Sequence, residues 1–285
     1  MYTTLNCIPC LIKHAISSVK MVTENAALQE KVVRLVLQEL LQLDFQHSAP
    51  YMNRLTHRII KQHCACPDPY KEIKQKFNQG ILNLYNHLEK SVKESTYPFE
   101  QALRYAASAN IIDFGLSDSP TMEQAQKTLE SCLSTPIRFN TAHDLAEDIQ
   151  KAQKILYLGD NCGEIVVDKL LLSRMPCEKV TFVVKGQPII NDALMEDAIS
   201  AGIPDLVKVI DNGSDVPGTI LELCSERFQR EFAEADLIIA KGQGNYETLA
   251  DLKGKKIYFI FKAKCDVITE HLGCSLGDII LKKHQ

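Results

Sequence analysis

Five loops in the second half of the chain carry the residues that could do chemistry. Gly159-Asp160-Asn161-Cys162-Gly163-Glu164 follows the apolar run 155–158, and Lys185-Gly186-Gln187-Pro188 with Asn191-Asp192 follows 180–184. Asp211-Asn212-Gly213-Ser214 follows 206–210, Lys241-Gly242-Gln243-Gly244-Asn245 follows 237–240, and Lys262 and Lys264 follow 257–261. Acidic and amide oxygens suit a hard cation such as Mg²⁺ or Mn²⁺. Lysines and glycine-loop N–H groups suit phosphate oxygens. Together they are the equipment of phosphoryl transfer, where charge is neutralised as the bond to phosphorus breaks. A plain anion-binding module has no use for Asp160 and Asp192, whose charge would repel the anion unless a metal intervened. Gly, Asp and Asn are also ordinary turn residues, so the argument rests on five such loops rather than on any one. Neither GxGxxG nor a Walker A lysine is present, and the first strand lacks a DxD pair.

The elements that must position these loops follow from apolar periodicity. Short apolar runs alternating with helical segments after about residue 150 predict a parallel α/β sheet, with the loops along one edge where ligands bind. Helices are expected near 164–174, 192–201, 218–232 and 246–251. The first half reads as helical, near 8–22, 28–43, 51–63, 70–88, 98–111 and 121–132. Asp68-Pro69 is expected to cap the fourth of these. Asn140 to His143 reads as the connection between halves, so the division is 1–140 helical and 141–285 α/β.

These residues resemble the metal-dependent damage-control phosphatases, the family of domain of unknown function 89, over nearly the whole chain. The matching motifs are Cys7-Ile-Pro-Cys10, Asp68-Pro-Tyr70, Asn110-Ile-Ile-Asp113, Asp160-Asn-Cys-Gly-Glu164, Lys185-Gly-Gln-Pro-Ile-Ile-Asn-Asp192, Lys241-Gly-Gln-Gly-Asn-Tyr-Glu247 and Lys262-Ala-Lys264. The likeness is to the shorter prokaryotic subgroup with an N-terminal CxxC. It implies a helical N-terminal portion packed on a Rossmann-like, mostly parallel α/β domain. It implies a divalent cation (Mg²⁺, Mn²⁺, Co²⁺ or Ni²⁺) held by Asp160, Asn161 and Asp192, and hydrolysis of phosphate esters such as sugar phosphates or damaged and side-product metabolites. A related group is described as a carboxyl methyltransferase, but Asp-Asn replaces the glycine loop that S-adenosylmethionine would need.

On this reading Lys241 and Lys264 contact phosphate, and Lys185 and Lys262 are more readily solvated. Glu164 orients water or ligand, although an acid in the first turn also suits the helix dipole. Asn245 touches substrate or caps a helix. Ser214 belongs to a phosphate cradle or to a plain loop. Asn110 and Asp113, three apart on a helix, share a face and either reach over the crevice or join the two halves by hydrogen bonds. The nucleophile is a metal-activated water or Asp160 itself.

Ten cysteines are many for 285 residues. Cys7 and Cys10 form a CxxC pair, and Cys64 and Cys66 a CxC pair. The four could make a thiolate site for zinc, with His14 and His63 in reserve, or they are reduced thiols or a redox pair. That supplies the rival function: a non-enzymatic metal- or redox-sensing protein that binds a phosphometabolite. The net charge of −4 gives no basic footprint for nucleic acid. No apolar run reaches the ~18 residues that span a bilayer, and the opening residues lack a signal-peptide pattern, so the expectation is a cytoplasmic, soluble protein.

Overall fold

The computed structural model describes residues 1–110, 122–131 and 133–284. Three helices come first: α1 (Cys7–Val22), α2 (Ala26–Leu41) and α3 (Ala49–Cys64). They pack on one another around Val19, Val32 and Ile60. The Asn25 side chain accepts from the Leu28 amide at 3.1 Å and so caps α2. The next helices are α4 (Lys71–Lys93), α5 (Pro98–Ala109) and α6 (Met122–Ser131). Asp68 does not cap α4 as expected. Its Oδ1 accepts from the Tyr70 amide at 3.0 Å, a local turn that delays the helix to Lys71.

The remainder alternates: β1 (Ile137–Arg138), α7 (Ala142–Lys151), β2 (Ile155–Leu158), α8 (Glu164–Leu172), β3 (Val180–Val184), α9 (Met195–Ala201) and β4 (Lys208–Asp211). Then come α10 (Glu226–Glu234), β5 (Leu237–Lys241), α11 (Gln243–Leu249), β6 (Ile257–Lys262), α12 (Asp266–Leu272) and β7 (Ile279–Lys283). The described residues thus form a mixed α/β fold with one seven-stranded sheet, in the order β1-β7-β6-β5-β2-β3-β4. Every pairing is parallel except β6 with β7. Strands β1 and β7 and helices α7 and α12 were not foreseen. Ile137-Arg138 is too short to show a period, and α7 begins inside the segment read as a connection.

Strand β2 shows why continuous apolar runs mark this sheet. Ile155 and Tyr157 join one core with α4, α5 and α8, while Leu156 and Leu158 join a second core on the opposite face with Phe228, Phe232 and Tyr246. Side chains alternate between faces, and both faces are dry. The first core runs across residue 140, from Phe77 and Leu103 to Tyr258 and Leu281. Helices α4 and α5 are therefore a covering layer of the sheet as well as part of the helical half. No helix among the described residues is long and apolar enough to cross a membrane.

Candidate active site

Strand β2 lies between β3 and β5, the place in an open parallel sheet where neighbouring connections diverge and leave a crevice. Asp160 sits just past the end of β2. The loop it begins is held to the loop after β3 by backbone pairing. The Ala193 amide donates to the Asp160 carbonyl at 2.8 Å, and the Cys162 amide donates to the Asn191 carbonyl at 2.9 Å. Asn161 and Asp192 form an antiparallel bridge between these hydrogen bonds. Two carboxylates 32 positions apart (160 to 192) are thereby set side by side. Gly242, following β5, closes against the same group: a Cβ there would fall 2.0 Å from Asp160 Oδ2, and its φ of +82° is a glycine conformation in any case.

The helical half supplies further partners. Asn110 Nδ2 donates to Asp160 Oδ2 and to Glu164 Oε2, each at 2.8 Å, and Asn110 Oδ1 accepts from the Lys262 amide at 3.3 Å. Asn110 is the C-cap residue of α5 rather than a residue within it. Asn161 Nδ2 donates to the same two acids, at 2.7 and 3.2 Å. Burial pushes the Asp160 carboxyl well above the usual carboxylate range. Glu164 and Asp192 add to that, while Lys264 and Lys185 oppose it. Asp192 is pushed up to about 6 by burial, against the pull of Lys185, whose ammonium lies 3.5 Å from Asp192 Oδ2 and also donates to the Gly218 carbonyl.

Beneath this floor lies a second ionic group. Lys241 Nζ donates to Asp168 Oδ1 at 2.5 Å and to the Ala106 carbonyl at 2.8 Å, and it pairs with Glu164 Oε1 across 2.7 Å. Its side chain has no solvent exposure. The expected phosphate contact gives way to holding two buried acids. Burial works against the Lys241 ammonium, but Asp168 and Glu164 outweigh it and keep its pKa above the ordinary value. Asp168, which also accepts from the Tyr157 hydroxyl at 2.8 Å, is pushed up to about 6 by burial, with Lys241 opposing.

A cavity of about 280 Å³ opens above, lined by Asp160, Asn161, Asp192 and Lys264 and by Cys7 and Cys10 of α1. Glu164, Asn110 and Lys241 support its floor. Asn245 and Ser214 do not line it. Asn245 is fully buried, donating to the Lys241 carbonyl at 2.8 Å and accepting from Thr219 Oγ1 at 2.7 Å. Ser214 is buried in the turn after β4, where its carbonyl accepts from the Gly186 and Gln187 amides. Asp113 lies outside the described residues. Cys64 and Cys66 are absent from the cavity wall; Cys265 stands there with Cys7 and Cys10 instead. Among the described residues no three His, Cys, Asp or Glu side chains are grouped to hold a metal ion, at the cysteines or at the carboxylates.

Several site residues escaped the sequence reading. Asp168 carried a signal: it lies four residues after Glu164, on the same face of a mostly apolar helix. Asn78 of α4 gave none. Its Oδ1 accepts from the Gly163 amide at 2.7 Å and its Nδ2 donates to Asp197 Oδ1 at 3.1 Å, which ties the Asp160–Glu164 turn to the helical half. Lys74 stands beside it, 2.7 Å from Asp68 and 3.5 Å from Asp197. Ile190, on the cavity wall, has φ +42°. A β-branched residue held there is strained.

Comparison with known proteins agrees with this architecture. Residues 3–280 match the model of the damage-control phosphatase ARMT1-like domain. The chain is 34% identical over 287 aligned positions to an uncharacterized protein of Methanocaldococcus jannaschii, covering 97% of this chain and 94% of that one. It is 31% identical to a damage-control phosphatase of Archaeoglobus fulgidus, with 97% of each chain covered. The crystal structure of a family 89 protein from Pyrococcus horikoshii superposes with a TM-score of 0.92 at 28% identity, covering all of both chains. With the family model spanning nearly its whole length, this chain belongs to the ARMT1-like damage-control phosphatase family.

Proposed function

We propose that this protein is a divalent-metal-dependent phosphatase that hydrolyses phosphate esters of small metabolites, among them sugar phosphates and damaged or side-product phosphometabolites. The observation that carries this reading is the convergence of Asp160, Asn161 and Asp192 with Lys264 on one cavity. The phosphatase names of relatives from Archaeoglobus and Pyrococcus support it.

The donor set fits a hard cation. Asp192 Oδ2 is buried and accepts no hydrogen bond, and burial with like charge makes full ionisation of Asp160 costly. Asp160, Asp192 and the Asn161 amide would hold the ion through oxygen, the donor chemistry of Mg²⁺ or Mn²⁺. When bound, such an ion offsets the charge of the phosphoryl group and polarises it.

The rest of the chemistry belongs to the chain. Asn110 and Asn161 fix the Asp160 carboxylate by donating to one of its oxygens. Lys241 neutralises Glu164 from below, so that the acid accepts from both amides without adding a free charge to the floor. Lys264, on the wall, is the residue to meet phosphate oxygens. The α1 and α3 helices cover the opening and narrow it to small esters.

The experiment is a chelated preparation assayed on p-nitrophenyl phosphate and a sugar-phosphate panel, with Mg²⁺, Mn²⁺, Co²⁺ or Ni²⁺ added back. Turnover should return with at least one ion and be lost in Asp160→Ala and Asp192→Ala while far-UV circular dichroism is retained. Failure of every ion on every ester, or full turnover in either variant, overturns the reading.

A further inference from the structure

Three thiols stand in the wall of the proposed catalytic cavity, and the phosphoryl chemistry uses none of them. Cys7 and Cys10 belong to the first turn of α1, and Cys265 directly follows Lys264. All three are free thiols, and Cys10 is exposed. Cys7 Sγ lies 3.6 Å from Thr4 Oγ1, and Gln243 Nε2 donates to Cys265 Sγ at 3.5 Å.

The placement of Cys7 and Cys10 suits a disulfide. Residues three apart on an α-helix have Cα atoms about 5 Å apart by helix geometry, inside the ~4.4–6.8 Å range that a disulfide spans. Cys7 opens the helix, its amide donating to the Thr4 carbonyl at 3.0 Å in the preceding turn, so it stands at the end of α1 where adjustment disturbs the helical ladder least. Asn6, the N-cap residue, makes no side-chain cap.

We propose that Cys7 and Cys10 are a reversible dithiol–disulfide couple that tunes how tightly the cavity holds its phosphorylated ligand, with low-molecular-weight disulfides as oxidant. The inference rests on the phosphatase reading of the same cavity. Exposed Cys10, as thiolate, attacks one sulfur of the small disulfide. That S–S bond breaks, a mixed disulfide forms, and the first small thiol leaves with the Cys10 proton. Cys7 then attacks Cys10 Sγ, the Cys7–Cys10 bond forms, and the second small thiol leaves with the Cys7 proton. Two protein thiols are oxidised and one small disulfide is reduced to two thiols. Partial desolvation where Cys10 meets the cavity wall, with the neighbouring Cys265, Cys7 and Glu247, pushes its thiol up, with Lys13 opposing. Attack by Cys10 therefore quickens as pH rises and more of its thiolate forms.

The bond draws the two sulfurs to about 2.05 Å, and Cys7 turns from Thr4 toward Cys10. In a cavity of only about 280 Å³, turning two wall side chains toward each other changes the fit of a phosphate ester. The effect falls on affinity, because neither cysteine is among the residues that hold or support the carboxylate floor.

The test incubates the full chain with oxidised glutathione, then with dithiothreitol. Peptide mapping and thiol counting follow the bond. KM for p-nitrophenyl phosphate with Mn²⁺, and calorimetric affinity for inorganic phosphate with Mn²⁺, follow the consequence. We expect a Cys7–Cys10 disulfide, a KM and a phosphate Kd raised about threefold or more, threefold being a loss of under about 1 kcal/mol by affinity arithmetic, and reversal by dithiothreitol. The oxidised-to-reduced ratio within each variant should be one for Cys7→Ser and Cys10→Ser, and unchanged from wild type for Cys64→Ser. Absence of the bond, a bond with both constants unchanged, or a ratio that survives in Cys7→Ser and Cys10→Ser overturns the proposal. If neither redox state hydrolyses any ester, the phosphatase reading fails, while mapping and phosphate affinity still decide this one.

Discussion

Replacing Lys241 by Met separates two roles for that residue by stability rather than by rate. Its ammonium is fully buried, 2.7 Å from Glu164 and 2.5 Å from Asp168. At an effective dielectric of about 20, each contact is worth roughly 6 kcal/mol of gross attraction, set against a desolvation cost of several kcal/mol per ion. Removing the cation leaves two dry carboxylates uncompensated, and breaking a buried pair this way costs about 3–5 kcal/mol. Methionine fills the space, so little of the loss comes from a cavity. Spread over a chain of this size, the loss lowers the melting temperature by on the order of 5–8 °C. The assay is urea and thermal unfolding followed by circular dichroism, with turnover measured on the folded fraction. Asp168→Asn added to Lys241→Met should restore part of the loss, because one of the stranded charges is gone. The reasoning is refuted if Lys241→Met unfolds within about 1 kcal/mol of wild type and instead raises KM, for then the lysine meets phosphate.

Three other perturbations follow from the same geometry. Gly242→Ala places a methyl group 2.0 Å from Asp160 Oδ2 at a φ of +82°, so turnover should fall about 100-fold as the carboxylate is displaced; wild-type turnover in the folded variant would count against the placement of Asp160. Asn78→Ala strands the buried Gly163 amide and an Asp197 oxygen, a loss of about 1–3 kcal/mol, measured by urea unfolding, and no loss would show that water replaces the amide. His57 is pushed down to about 3 by burial, with His14 and Lys61 adding to it, so the folded state keeps it neutral while the unfolded state takes up a proton near pH 6.5. Its contribution is present above that pH and is lost as pH falls toward 3. Wild type should lose stability over that window faster than His57→Gln, and equal slopes would contradict the assignment.

Much of the site was legible in the chain itself because local rules govern it. Apolar runs too short for helices gave β2, β3, β5 and β6 to within about two residues, since strands buried on both faces leave no polar alternation to confuse. Where those runs stop, the polar loops gather on one edge of a parallel sheet, which is why Asp160 and Asp192 could be placed at one crevice before their contacts were known, while the ligand set with Asn161 came from the family resemblance. The antiparallel β7 was not legible, because Ile279–Lys283 follows a short helix without a hairpin signal and its place is set by β1 and β6.

What only the tertiary structure decided is where each side chain at a strand end is aimed. Leu237 and Ile239 of β5 face the core under α5 and α8, and Ile238 and Ala240 face the other. Alternation therefore turns Lys241 toward the first core, beneath Glu164 and Asp168, and away from the crevice. The alternation is in the sequence, but which helices cover that face, and that they carry acids there, is not. The same holds for Asn110, which reaches Asp160 only because α5 packs along α8. It holds for Cys10 and Cys265 too: 255 positions apart (10 to 265), they meet on one wall because the α1–α3 bundle sits over the ends of the strands. Local spacing fixes the residue types at an edge, and only long-range packing fixes which of them face a ligand and which hold one another.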